Sequence, residues 1–182
     1  MKDYIRLARP AHWMKNILVL LPLLCSGHLL EPWRLWSALW GLVAFSLTAS
    51  GIYVINDIRD REKDRCSTTK CHRPIAAGKI SVPHAIIYAV FLLALALLCG
   101  YMASGLSPAG LGLLGAYFLM NLGYSLGLKN VPLVDIAILA LGFLLRMLYG
   151  SAVTSIEPSK WLCLTVISVS FYMGLGKRRG EL

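Results

Sequence analysis

What most limits how this chain can fold is a series of apolar stretches, each close to bilayer thickness. A helix that crosses the hydrocarbon core needs about 20 mostly apolar residues. Residues 33–54, 82–102, 108–126, 132–153 and 158–176 meet that requirement. Residues 17–30 form a shorter stretch interrupted by Pro22, which reads as a weaker, tilted span. With 57% hydrophobic and 15% charged residues, the 182-residue chain has too little polar surface for a soluble domain of its size. The expectation is an all-α, polytopic membrane bundle of about six helices.

Charge orients these spans. With the N-terminus inside, the inner segments are residues 1–16, 57–81, 127–131 and 177–182, and they hold 15 of the 18 Lys and Arg residues. Arg34 and Lys160 fall outside, and Arg146 falls within a span. This bias is the positive-inside pattern. A net charge of +9 then suits an anionic membrane surface and an anionic substrate on the cytoplasmic side. Nucleic-acid binding would account for the charge but not for the spans. Five cysteines split between spans and an inner loop give no disulfide framework. Cys66, Cys71 and His72 are too few and too loosely spaced for a closed zinc site. Gly112, Gly115, Gly123 and Gly142 suit close helix packing in lipid. Trp13, Trp33, Trp36 and Trp161 read as interfacial belt residues, and the four histidines form no ligand cluster.

The segment VINDIRDREKDRCSTTKCHRPIAAG, residues 54–78, gathers charge of both signs. On a continuous helix, Asn56, Asp57, Asp60 and Asp64 would sit near 0°, 100°, 40° and 80°, within about a quarter turn. Such a column of oxygen ligands repels itself unless a cation intervenes. Mg²⁺ suits it, because that ion takes few carboxylates and fills its octahedron with water and phosphate oxygens. The alternative is a solvated helix end whose acids pair with Arg59, Arg61, Lys63 and Arg65. Lys70 and Arg73 follow, just before Pro74. Arg forks onto phosphate oxygens and Lys acts as a point charge. Acidic ligands for metal followed by basic ligands for phosphate is the layout a metal–diphosphate needs.

At these residues the sequence resembles the UbiA superfamily of intramembrane prenyltransferases. Asn56-Asp57-x-x-Asp60-x-x-x-Asp64-Arg65, followed by Arg73-Pro74, is similar to its first aspartate-rich signature. The stretches around Arg9 to Val19, Arg73 to Gly78, Tyr124 to Lys129, Gly142 to Arg146 and Gly176 to Leu182 are similar to the branch of decaprenyl-phosphate phosphoribosyltransferases. The resemblance implies transfer of phosphoribosyl from 5-phosphoribosyl 1-diphosphate to a polyprenyl phosphate, with release of diphosphate, on a route to cell-envelope arabinan. It also implies Mg²⁺ as cofactor and a multi-pass protein of the inner (plasma) membrane. Family members have about nine spans. Residues 1–182 therefore read as the N-terminal two-thirds of one such domain, shortened at its C-terminus, with residues 56–80 as a cytoplasmic substrate loop. Polar faces left open in lipid would favour partners, a homo-oligomer among them.

The expected site follows from both readings. Asn56 and Asp60 would hold Mg²⁺ on the diphosphate. Asp57 and Asp64 would hold a second metal, or orient waters and basic side chains. Lys15, Tyr53, Lys70, Arg73, Lys129, Arg146 and Lys177 would bind phosphates. Arg146 draws attention on physical grounds alone, since a charge at mid-span costs at least about 2.5 kcal/mol. Asp135 lies about 16 Å from it along the helix axis and is too far to pair with it there. Asn121 could equally serve as glue between helices, and Tyr53 as a core aromatic. Two other readings share these residues. One is a conventional prenyltransferase with an aromatic acceptor. The other is a non-catalytic scaffold or transporter.

Overall fold

The computed structural model describes residues 2–105, 107–126 and 132–179, and all of its regular structure there is helical. In chain order these are α1 (Lys2–Ala8), a 3-10 helix (Pro10–Leu20), α2 (Leu21–Cys25), α3 (Pro32–Arg59), α4 (Arg61–Arg65), α5 (Val82–Ser104), α6 (Pro108–Leu126), α7 (Pro132–Thr154) and α8 (Lys160–Arg179). Proline stands at or next to the first position of α3, α5, α6 and α7. Its fixed φ suits a first turn, where its missing N–H would have no partner anyway. Helix α5 stops at Gly105, which takes a left-handed φ of 62° and donates its N–H to Tyr101 O at 2.7 Å. Among the described residues, three helices are long and apolar enough to cross a membrane: Pro32–Arg59, Val82–Ser104 and Val134–Thr154.

Two expectations change here. The tilted span over residues 17–30 is two short pieces, a 3-10 helix followed by α2, ending at Cys25. Pro22 falls in the first turn of α2, where a proline is tolerated. The continuous acidic helix also breaks. Asp60 leaves helical geometry at φ −84°, ψ 7°, and α4 restarts at Arg61. Backbone bonds of helical spacing still span the break, Asp60 N–H to Asn56 O at 2.9 Å and Asp64 N–H to Asp60 O at 2.8 Å.

Helix α3 is the hub, and α5 lies along it. Ala85, Ala89, Leu92, Ala96, Cys99 and Ala103 alternate at spacings of four and three and form the buried stripe of α5. Ile86, Ile87, Val90, Phe91, Leu97 and Leu98 face outward. Small residues inside and large apolar ones outside is the pattern of helices that associate in lipid by close backbone approach. A second cluster joins Phe45, Ala49 and Ile52 of α3 to Tyr117 of α6 and to Leu145, Tyr149 and Val153 of α7. The N-terminal segment is pinned to α3 by two serines one turn apart. Asn16 Nδ2 donates to Ser46 Oγ at 3.0 Å. The Trp13 indole donates to Ser50 Oγ at 3.0 Å, and Ser50 donates onward to Ala8 O at 2.7 Å. Trp13 is therefore an internal anchor, whereas Trp33, Trp36 and Trp161 are exposed on the outside.

The tightest approach is where α7 crosses the 3-10 helix. A Cβ on Gly150 would lie 1.8 Å from the backbone oxygen of Val19. No rotamer change relieves a clash with backbone. Gly150→Ala should cost about 1–3 kcal/mol, as overpacking does, and lower the thermal midpoint in detergent. Gly112, whose added Cβ would meet nothing within 4 Å, is the control. Gly112→Ala should hold or raise the midpoint, because alanine is the better helix former by about 1 kcal/mol.

Candidate functional site

The inner end of α3 carries the charges. Asp57 and Asp64 are 2% and 3% exposed, so each carboxylate needs a partner. Neither finds it among the neighbouring Arg59, Arg61, Lys63 or Arg65. Arg73 Nη1 bridges both acids, at 3.1 Å to Asp57 Oδ1 and 2.7 Å to Asp64 Oδ2. Arg9 Nη2 adds a second cation to Asp57 Oδ1 at 2.5 Å. Arg9 reaches it from a left-handed backbone, φ 52° and ψ 57°, which turns the chain from α1 into the 3-10 helix. Such a conformation persists in a non-glycine residue only where its surroundings fix it, and the ion pair does that. Arg65 donates to Ala76 O at 3.2 Å, and Ile75 and Ile80 are buried against the α3–α5 core. The loop that delivers Arg73 is thus anchored at several points.

A cavity of about 260 Å³ opens beside this network between the 3-10 helix, α3, α6 and α7. His12, Lys15, Tyr53, Asn56, Asn121, Tyr124 and Arg146 supply its polar wall. Met120, Ile138, Leu139 and Phe143 supply an apolar one. Among the described residues no acid lines it. Arg146 is 7% exposed. Its Nε donates to Asn16 Oδ1 at 2.8 Å, its Nη1 to Gly142 O at 2.6 Å and its Nη2 to the Tyr117 hydroxyl at 2.9 Å. The rings of Tyr117, Phe45 and Phe143 lie 5.1, 5.4 and 5.5 Å from its guanidinium carbon. Every one of these partners is neutral. The cavity therefore carries excess positive charge in a largely apolar setting, where an anion is bound strongly.

The structure brings Lys15, Tyr53, Asn56 and Arg146 to this cavity. Arg73 and Asp57 line a second cavity beside it. Lys70 is exposed and lines neither. Lys129 and the side chain of Lys177 lie outside the described residues. Asn56 Oδ1 accepts a hydrogen bond from the Ser125 hydroxyl, which ties α3 to α6. Asn121 donates to Tyr117 O within its own helix at 2.8 Å. Asp135 accepts from the Tyr124 hydroxyl at 2.9 Å and does not meet Arg146. Sequence reasoning missed His12. It lines both cavities and packs edge-on against Tyr53 at 5.2 Å. Partial burial, then Lys15 and Arg9, hold its imidazole below the ordinary histidine pKa. Its only sequence signal is its place in the Arg9-Pro10-x-His12 stretch.

The donor set bears on metal binding. Among the described residues, no group of three His, Cys, Asp or Glu could hold an ion. Asp57 and Asp64 are bound to arginines, and Asn56 and Asp60 lie one helical turn apart, the Asp60 N–H donating to Asn56 O at 2.9 Å. That pair fits Mg²⁺, which takes one or two protein oxygens and completes its octahedron with water and phosphate. It does not fit an ion that needs a full protein cage.

The UbiA prenyltransferase family profile matches residues 17–177. The chain is 38% identical over 181 residues to the decaprenyl-phosphate phosphoribosyltransferase of Corynebacterium glutamicum, covering 98% of this chain and 54% of that protein. It is 40% identical over 184 residues to the enzyme of the same name from Mycolicibacterium smegmatis, covering 98% and 56%. The chain thus spans a little over half the length of these relatives. In fold it is similar to a UbiA homologue from Archaeoglobus fulgidus bound to DMAPP and Mg²⁺. The TM-score is 0.72 at 21% identity, covering 93% of this chain and 60% of the other.

The bridging role of Arg73 can be measured. Arg73→Gln strips Asp64 of its ion pair and should destabilise the protein by about 3 kcal/mol, the low end for a buried carboxylate left without its cation. Adding Asp64→Asn should recover at least about 1 kcal/mol, because the two sites are coupled. Additive losses in this double-mutant cycle would show that the bridge contributes nothing.

Proposed function

The chain belongs to the UbiA prenyltransferase family, and from that footing we propose that it carries the phosphate-binding site of a membrane phosphoribosyltransferase. The donor is 5-phosphoribosyl 1-diphosphate, the acceptor a polyprenyl phosphate, and the products polyprenylphosphoryl ribose 5-phosphate and diphosphate, feeding cell-envelope arabinan assembly. The observation that carries this reading is Arg146, a buried guanidinium bonded to neutral groups in a cavity that no acid lines among the described residues. Such a charge calls for an anion, and the apolar wall of Met120, Ile138, Leu139 and Phe143 suits the tail of a lipid that bears one. The names of the relatives at 38% and 40% identity support the substrate pair. The positive-inside bias supports a cytoplasmic site.

In this reading an ionised oxygen of the lipid phosphate attacks C1 of the ribose. The C1–O bond to diphosphate breaks, and diphosphate leaves with the electron pair. No general base is needed, because the acceptor oxygen is already deprotonated. Lys15 and Arg146 hold the phosphates and stabilise the charge that builds on the leaving group. Tyr53, Asn121 and Tyr124 orient them through hydroxyl and amide groups. Asn56 and Asp60 would hold Mg²⁺, which when bound neutralises diphosphate oxygens. Asp57 and Asp64 serve by fixing Arg9 and Arg73, the second of the two roles their positions suggest. Lys129 and Lys177, which the resemblance assigns to phosphate binding, would add to this charge. A conventional prenyltransferase shares the diphosphate chemistry, as the DMAPP-bound neighbour illustrates. It gives no use to a second cationic cavity.

Membranes carrying the chain, given labelled phosphoribosyl diphosphate and polyprenyl phosphate, should form labelled lipid only with Mg²⁺. Arg146→Ala should lower the rate at least about 100-fold, the scale seen on removing one donor to a developing anion. Arg146→Lys should be intermediate, since it keeps the charge but loses the fork. Full transfer by a folded Arg146→Ala protein would remove this residue from the site.

A further inference from the structure

The second cavity, about 250 Å³, differs in character from the first. Arg6, Arg9 and Arg73 line it with His12, Thr69 and His72, against the single carboxylate of Asp57. Asp57 is already held by Arg9 and Arg73. The side chains of Arg6 and His72 make no hydrogen bond or ion pair to any described residue. The cavity therefore has cationic capacity that the fold does not consume. Apart from Pro74 its lining is polar, so it suits a soluble anion rather than a lipid tail.

Its position is as informative as its charge. Asn56 lines the first cavity and Asp57 the second, and their Cα atoms are about 3.8 Å apart. His12 lines both. Two anion sites thus meet at the end of α3 with one imidazole between them. A donor with a diphosphate on one side of a small ring and a phosphate monoester on the other needs two such sites.

We propose that the Arg6–His72 cavity is the subsite for the 5-phosphate of the donor, with His12 as the wall between it and the diphosphate site. This rests on the phosphoribosyl reading and adds what selects that donor. A prenyl diphosphate leaves the second cavity empty. The acceptor is also a phosphate monoester, but its tail fits the apolar wall of the first cavity and finds no counterpart in the second.

The test uses the full chain in lipid nanodiscs with Mg²⁺, and three probes: ribose 5-phosphate, inorganic diphosphate and farnesyl phosphate. Ribose 5-phosphate should bind while diphosphate is present. The double variant Arg6→Gln/His72→Gln should weaken ribose 5-phosphate at least tenfold. It should leave diphosphate and farnesyl phosphate within twofold, which also reports that the protein is folded. Exclusion of ribose 5-phosphate by diphosphate would overturn the subsite, as would an equal loss for farnesyl phosphate. Turnover on the same discs separates the two levels. Transfer with an unchanged donor KM in the double variant would sink the subsite and leave the phosphoribosyl reading standing. Arg6-dependent binding of ribose 5-phosphate without any transfer would support the subsite and count against that reading.

Discussion

A guanidinium buried in a membrane protein must be solvated by the protein itself, and the packing around Arg146 follows from that need. Three elements contribute. The 3-10 helix brings Asn16, α6 brings Tyr117, and α7 itself supplies Gly142 O. Asn16 is in turn held by Ser46 of α3. A Cβ on Gly142 would lie 3.3 Å from Arg146 Nη1, tight enough to crowd that guanidinium. Gly150, two turns on, lets α7 meet the 3-10 helix backbone and so keeps Asn16 within reach. Leaving a charge unsatisfied in hydrocarbon costs several kcal/mol, so these contacts also fix the relative positions of four elements.

Arg73 and Arg146 show two treatments of the same group. Arg73 is spent on two buried carboxylates and shapes the loop. Arg146 is hydrogen-bonded to neutral groups and keeps its net charge. In the proposed function that charge would attract phosphate, while Arg73 would keep the acids of the Asp-rich stretch from cancelling the attraction. On that proposal metal binding would depend on the substrate, since Asn56 and Asp60 alone offer too few ligands.

Much of the helix pattern was legible in the sequence. Proline punctuation and apolar length place α3, α5, α6, α7 and α8 within a few residues of their observed bounds. Arg146 was legible too, because a mid-span charge is costly wherever the chain folds. The arginine partners of the acids were not, because the decisive contacts are long-range. Arg9 is 48 residues from Asp57, and Arg146 is 130 from Asn16. Local periodicity carries no record of such pairs. His12 escaped for the same reason, since its importance comes from two cavities that only the folded chain brings together. Trp13 looked like a belt residue because its partner Ser50 is 37 residues away.

In the proposed mechanism the metal enters with the diphosphate rather than being held beforehand by the aspartates. Electron paramagnetic resonance of Mn²⁺, used in place of Mg²⁺ with the chain in nanodiscs, tests it most directly. With inorganic diphosphate present, bound Mn²⁺ with ³¹P hyperfine coupling is expected, lost in Asp60→Asn. Without diphosphate the spectrum should be that of the free hydrated ion. Tight Mn²⁺ binding in the absence of any phosphate, abolished by Asp57→Asn or Asp64→Asn, would contradict it. That result would mean the aspartates form a metal cage and that Arg9 and Arg73 give way to the ion.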